Sequence, residues 1–189
     1  MHGDTRSAGL RRAPASEDRP AGATAHAAFT TLMVAHEATI ARYLRHLVGD
    51  AEAARDLTQE TFLSAYRAWA AGVPANPGGW LYRVATNHAF AYLRRRRLIA
   101  WLPLGARAGS SGAAHDPPDE RVAGDAAVAA ALAALPPRQR ACLLLSIEGF
   151  DGPAIAAQLG IAPAAARMNL ARAREAFRAR YDGHAPGEV

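Results

Sequence analysis

Apolar residues recur every three or four positions along most of the chain, the pattern of helices buried on one face. From about residue 27, Phe29, Leu32, Met33, His36, Ile40, Tyr43, Leu44 and Leu47 fall at this spacing, and Gly49-Asp50 ends that helix and starts another. The second helix, about 51–71, turns Ala54, Leu57, Phe62, Ala65 and Trp69 inward. Gly72-Val73-Pro74-Ala75-Asn76-Pro77-Gly78-Gly79 reads as a loop. Its Asn76 is placed to cap a third helix whose first residue is Pro77 and which runs to about Leu98.

Beyond that helix the periodicity stops. Residues 103–124 contain Pro103, Gly105, Gly109-Ser110-Ser111-Gly112, Pro117-Pro118 and Gly124, the composition of a linker. A second helical block follows, at roughly 125–134, 137–148, 152–159 and 163–180, punctuated by Pro136-Pro137, Gly149 and Gly160. Residues 1–25 show no helical period and read as a disordered tail. The expected fold is therefore all-α: two small helical domains, 26–98 and 125–181, joined by a flexible linker over 99–124, with a C-terminal tail over 182–189.

Composition agrees with this reading. Alanine, leucine and arginine dominate, all good helix formers, and β-branched residues are sparse. With a single cysteine, Cys142, neither an intrachain disulfide nor a cysteine-based zinc site can form. There is no continuous apolar run of signal-peptide or membrane-spanning length. A cytoplasmic protein that does not insert in membranes is expected.

Charge narrows the function. The net charge is +5, every basic residue is arginine, and the chain contains no lysine. Between Leu81 and Ala100 lie Arg83, Arg94, Arg95, Arg96 and Arg97 without an acid; between Ile161 and Tyr181 lie Arg167, Arg172, Arg174, Arg178 and Arg180 against Glu175 alone. Acidic residues gather elsewhere, at Asp50, Glu52, Asp56 and Glu60, and again at Asp116, Asp119, Glu120 and Asp125. Two basic helices separated by an acidic connector point to a polyanion as partner.

The second of these helices belongs to a helix-turn-helix pattern. In Gly152-Pro153-Ala154-Ile155-Ala156-Ala157-Gln158-Leu159-Gly160-Ile161-Ala162-Pro163, Ile155 and Leu159 face inward and Ala156 allows close approach, while Gly160 permits a left-handed turn and Ile161 plugs the core. Leu170 and Phe177 then point inward and leave Arg167, Arg172 and Arg174 outside, as on a helix that enters a major groove. A plain helical hairpin with a solvated basic face has the same pattern. On the third helix, Trp80, Arg83, Asn87 and Arg94 share one stripe with Phe90 at its edge, while Leu81, Ala85, His88 and Tyr92 lie on another face. Such a stripe suits stacking on unpaired bases and holding a backbone; buried aromatics beside a solvated arginine run fit it equally.

Two linked sets of motifs resemble the extracytoplasmic-function sigma factors of bacterial RNA polymerase. Ala54-Arg55-Asp56-Leu57-Thr58-Gln59-Glu60-Thr61-Phe62, Trp80-Leu81-Tyr82-Arg83-Val84-Ala85-Thr86-Asn87 and Arg94-Arg95-Arg96-Arg97 are similar to the family's second region. Ala134-Leu135-Pro136-Pro137-Arg138-Gln139-Arg140, Glu148-Gly149-Phe150 and the helix-turn-helix are similar to its fourth. The resemblance covers about 27–98 and 125–180, in order.

The resemblance implies a transcription initiation factor that binds core RNA polymerase, through its β′ clamp and β flap, and promoter DNA, with an anti-sigma protein as the expected regulator. Asp56, Gln59, Glu60 and Phe62 would lie on the helix that docks on the clamp. Trp80, Arg83 and Asn87, with Arg94 and Arg95, would engage the minus-ten element, and the loop 72–79 would capture a flipped base. Arg167, Asn169, Arg172 and Arg174 would contact the minus-thirty-five element. The linker would run toward the polymerase's RNA path.

The chain departs from the family pattern in two places. Ala91 stands where an aspartate is usual, and Ala165-Ala166-Arg167-Met168-Asn169 replaces Thr-Val-Lys-Ser-Arg in the recognition helix. Each bidentate base contact is worth about 1–3 kcal/mol, so the second change implies weak or unusual minus-thirty-five reading, unless it is only drift toward alanine in a GC-rich gene.

An enzyme is not expected, and neither a cofactor nor a metal is implied. His36-Glu37 is followed by Ile40 where a zinc-protease helix needs a second histidine, and His115-Asp116 sits in the linker. The competing readings are a conventional helix-turn-helix regulator that binds duplex DNA without polymerase, and a protein-binding helical adaptor. The first leaves Asp56, Gln59 and Glu60 without a partner.

Overall fold

Helix breakers and caps divide the chain where the sequence places them. A computed structural model of the protein describes residues 19–69, 71–101 and 120–182. Its helices are α1 (Arg19–Val48), α2 (Ala51–Trp69), α3 (Pro77–Trp101), α4 (Glu120–Ala133), α5 (Pro137–Ile147), α6 (Gly152–Leu159) and α7 (Pro163–Tyr181), with no strand among the described residues. At the first turn Gly49 takes φ 71° and Asp50 caps α2, its Oδ1 accepting from the Ala53 amide at 3.0 Å. Asn76 caps α3 in the same way, accepting from the Gly79 amide at 2.9 Å.

Several boundaries lie further out than periodicity indicates. α1 begins at Arg19, so residues 19–25 are helical and only residues 1–18 of the expected tail lie outside the described residues. This segment is rich in alanine, which favours helix without marking a face, and Pro20 falls in the first turn, where its missing amide has no consequence. It is also held from outside: the Trp69 indole donates to the Ala25 carbonyl at 3.1 Å. Likewise α3 extends to Trp101 and α4 starts at Glu120; residues 102–119, the body of the expected linker, and the tail from 183 lie outside the described residues.

The first unit packs α1, α2 and α3 around Ile40, Leu44, Leu47, Leu57, Ala65 and Leu81. Its buried hydroxyls are satisfied in series, as burial demands. The Tyr43 hydroxyl lies 2.7 Å from Thr86 Oγ1, which in turn donates to the Tyr82 carbonyl at 2.7 Å. The second unit packs α7 on α5 and α6 through Cys142, Leu145, Ile155, Ala166 and Ala173. Burial pushes the Cys142 thiol up to about 11, so it is inert packing.

The two units share one continuous buried cluster: α4 and α5 lie on α1, and α6 lies on α3. Tyr82 and Tyr43 sit along this junction. Burial foremost, then donation to Glu148, pushes Tyr82 up to about 12, and burial pushes Tyr43 up as well. A raised folded-state value means that the neutral phenols contribute stability in full below the unfolded value of about 10. That contribution is lost as pH rises through the folded values. Thermal midpoints should therefore hold up to about pH 10 and fall above it, and Tyr82→Phe should make the fall shallower. A midpoint already sliding at neutral pH would contradict this.

Candidate nucleic-acid interface

On α2 the residues at positions 56, 59, 60, 63, 66 and 67 recur at helical spacing, and all are exposed. Asp56, Gln59 and Glu60, three of the four residues expected to dock, therefore share an open face. Phe62 does not. It is buried in the core, about a third of a turn away, where it holds the helix in place. The apolar group offered on the acidic face is Leu63, 56% exposed, with Tyr66 beyond it. The helical period alone places Leu63 between Glu60 and Tyr66, a signal the sequence reading passed over.

Asp56 and Glu60 line a shallow cleft of about 310 Å³ between α2 and α3, together with Asp50, Glu52, Tyr92 and Arg95. Tyr92 donates to Asp50 Oδ2 at 3.4 Å. Arg95, expected at the minus-ten element with Arg94, is exposed and also lines this acidic cleft. One residue of helix turns a side chain by about 100°, enough to move Arg95 from one face to the next. His88 joins the same side, with Nε2 3.0 Å from Ser64 Oγ and Nδ1 3.4 Å from Glu60.

The outer face of α3 carries Arg83, Asn87 and Arg94, all exposed. Trp80 flanks them, half-buried, its ring centroid 6.5 Å from that of Trp69. Leu81 and Ala85 are buried on the opposite side, with His88 and Tyr92 partly buried, as the wheel requires. One tryptophan thus supports another, so Trp80 is held at the surface rather than swallowed by the core. Just before it, in the first turn of α3 rather than in the loop expected over 72–79, stand two glycines at points of close approach. A Cβ on Gly78 would come within 3.0 Å of the His36 ring, and one on Gly79 within 2.9 Å of Asn76 and 3.1 Å of Gln158.

In the second unit, Asp151 caps α6 by accepting from the Ala154 amide at 2.8 Å, and Gly160 closes it at φ 61°. Ile161 donates its amide back to Ala156, completing the helix-turn-helix. Ala166 and Ala173 seat α7 against the core, with Leu170 and Phe177 partly buried. Arg167, Arg172 and Arg174 are exposed and Asn169 is half-exposed, so the four expected contact residues do reach the surface. Arg174 bends toward α5, donating to Ser146 Oγ at 2.9 Å. Met168, 54% exposed, stands near Arg172 on the outermost face. Among the described residues no cluster of three metal-ligating side chains is found, and no helix is long and apolar enough to cross a membrane.

Comparison with known proteins accounts for both units. Residues 32–99 match the family described as Sigma-70 region 2, and residues 125–177 match Sigma-70, region 4. The chain is 33% identical over 156 residues to the RNA polymerase sigma factor CarQ of Myxococcus xanthus, covering 80% of this chain and 87% of that protein. It is 34% identical over 148 residues to the ECF RNA polymerase sigma factor SigE of Mycolicibacterium smegmatis, covering 76% of this chain but only 57% of that relative's length. Among solved structures, CnrH in complex with the cytosolic domain of CnrY shares the fold at a TM-score of 0.60 and 26% identity, over 88% of this chain and 97% of that one. The sigma factor RpoE of Bartonella quintana, solved with the anti-sigma factor NepR, aligns at a TM-score of 0.62 over 82% of this chain and 96% of that one. At 21% identity this second likeness speaks to the fold alone.

Proposed function

Because the chain belongs to the sigma-70 family, as an extracytoplasmic-function RNA polymerase sigma factor, we propose that it binds core RNA polymerase, directs it to a class of promoters and helps melt their minus-ten element. The observation that carries this reading is the division of labour between α2 and α3. One exposes Asp56, Gln59, Glu60 and Leu63; the other exposes Arg83 and Asn87 beside a propped Trp80. A repressor that only grips duplex DNA has use for α7 but for neither of these faces.

Each part has a physical task. The acidic, partly apolar face of α2 docks on the polymerase, giving steering through charge and affinity through the buried leucine. Trp80 stacks on an exposed base while Arg83, Asn87 and Arg94 hold the unpaired strand. The loop 72–79 receives the flipped base, whose extrusion costs a few kcal/mol that stacking and hydrogen bonds recover. Arg167, Asn169, Arg172 and Arg174 on α7 contact the minus-thirty-five duplex, and an anti-sigma protein controls the factor.

Transcription in vitro with core enzyme tests the proposal. Initiation at specific sites, absent without this chain, is the expected result; DNA binding with no initiation rejects it. Asp56→Arg combined with Glu60→Arg should weaken binding to core polymerase roughly tenfold or more, since the charge of the docking face is reversed, and should leave the helical content unchanged. Binding of the isolated chain to duplex DNA should weaken steeply with salt through release of counterions, which separates the factor from a protein-binding adaptor.

A further inference from the structure

The outermost line of α7 is apolar, although the helix as a whole is rich in arginine. At about 100° per residue, Ala164, Met168 and Ala171 fall within roughly 60° of one another, opposite the buried Ala166 and Ala173. All three are exposed, Met168 by 54%. The arginines stand to either side: Arg167 and Arg174 along one flank, Arg172 along the other. Arg167 leans away from the line. Its Cγ lies 3.9 Å from the place a Cβ on Gly152 would take, so its stem follows the start of α6. Arg174 is drawn toward α5 by its bond to Ser146 Oγ at 2.9 Å. Asn169 is half-exposed and sits further round still, beyond Arg172.

A helix laid in a major groove turns its outermost line to the base edges and its flanks to the two phosphate walls. The strip from Ala164 to Ala171 spans about 10 Å, which fits a groove about 12 Å wide. Glu175, the next charged residue on the same line, stands roughly 16 Å from Ala164, beyond that width. Alanine and methionine make no hydrogen bonds to the polar edges of guanine, adenine or cytosine. Covering those edges would strip them of water without replacing it. The apolar group that a base offers in this groove is the C5-methyl of thymine.

We infer that α7 reads thymine methyl groups through Met168, with Ala164 and Ala171 beside it, while Arg167, Arg172 and Arg174 grip phosphates and carry no sequence information. Met168 is the principal reader. It is the one long side chain on the strip, and its unbranched, polarizable thioether adapts to methyl groups at slightly different heights. The two alanines let the helix settle close to the groove floor. The minus-thirty-five element is then A·T-rich under the strip. The inference rests on the sigma-factor reading only for the name of that element, since the chemistry of α7 applies to any duplex.

The test selects duplexes from a randomised pool with the full chain, alone and with core polymerase, and then replaces each selected thymine by deoxyuridine. This removes the methyl and leaves the base pair unchanged. Each contacted methyl lost should weaken binding about threefold to fourfold, the worth of one buried carbon. Met168→Ala should bind thymine and deoxyuridine alike at the position it covers, and Met168→Leu should keep most of the difference. The site is exposed, so circular dichroism of both variants should match the parent. Arg172→Ala should weaken both duplexes by the same factor and lower the salt slope by about one, as loss of a phosphate contact does. A parent that selects no sequence, or binds deoxyuridine as well as thymine, overturns the inference. So does selection of guanine that relaxes in Arg167→Ala or Arg172→Ala, since the arginines are then the readers. Met168→Ala that loses affinity for core polymerase but keeps thymine discrimination makes the strip a protein contact, which also overturns it. If core polymerase never initiates with this chain, the sigma-factor reading fails, and the deoxyuridine comparison with the chain alone still decides how α7 reads DNA.

Discussion

Arg140→Met should destabilise the protein by about 3 kcal/mol, because it strands carbonyls that have no other donor at hand. Arg140 is 7% exposed and, among the described residues, forms no ion pair with a carboxylate. Its Nη1 donates to the Leu47 carbonyl at 2.9 Å, and its Nη2 donates to the carbonyls of Ala133 at 2.6 Å and Leu135 at 3.1 Å. Leu47 closes α1 and Ala133 closes α4, so the guanidinium sits where the negative ends of two helices converge. Their partial charges and lone pairs replace a counter-ion. Burial lowers the pKa of Arg140, yet at neutral pH the group stays charged. Its Nε has no partner, which limits the net gain. In thermal unfolding the loss should appear as a fall in midpoint on the order of 10 °C. Arg140→Lys should fall in between, as an ammonium cannot fan out to three acceptors across this span. A midpoint within a degree or two of the parent would mean that water reaches these carbonyls when the arginine is gone.

The second large effect belongs to Trp80. Stacking a base on an aromatic ring is worth about 1–3 kcal/mol, so Trp80→Ala should reduce the opened promoter complex by roughly tenfold or more. Permanganate reactivity of the minus-ten thymines reports this directly. Trp80→Phe should restore part of it, because a smaller ring still stacks and still leans on Trp69. The thermal midpoint of each variant separates loss of stacking from loss of the Trp69 prop. Opening that is unimpaired in Trp80→Ala would remove this residue from the melting machinery.

Much of this organisation is legible in the sequence because it is local. Asp50, Asn76, Gly149, Pro153 and Gly160 announce helix ends through caps and φ restrictions that depend on neighbours a few residues away. The inward set of α2 is buried residue for residue, since a 3.6-residue period leaves little choice. The misplacements are also physical. Residues 19–25 carry helix propensity but no apolar stripe, and what holds them is Trp69, 44 positions away from Ala25. Phe62 is buried next in sequence to Leu63, the residue that does face outward. Similarity of motif says that a helix docks; only its rotation says which side chains do.

The junction was not legible at all. Arg42 and Glu148 are separated by 106 positions, Tyr82 and Glu148 by 66, and Arg140 and Leu47 by 93. No periodicity or spacing links such pairs in a single chain. Glu148 reads only as part of a motif at the end of α5, and Arg42 as one exposed residue on a helix whose buried face attracts the attention.

The Glu148 contacts carry a consequence for anyone exchanging parts between sigma factors. A promoter-reading unit grafted from one relative to another brings its own carboxylate, but the arginine and the phenol that receive it belong to the host. A hybrid lacking those partners would leave a largely buried carboxylate unpaired at the junction, and the resulting loss of stability would be mistaken for a poor match between reader and promoter. Compatibility at residues 42 and 82 therefore belongs in the choice of parents, alongside the bases each parent reads.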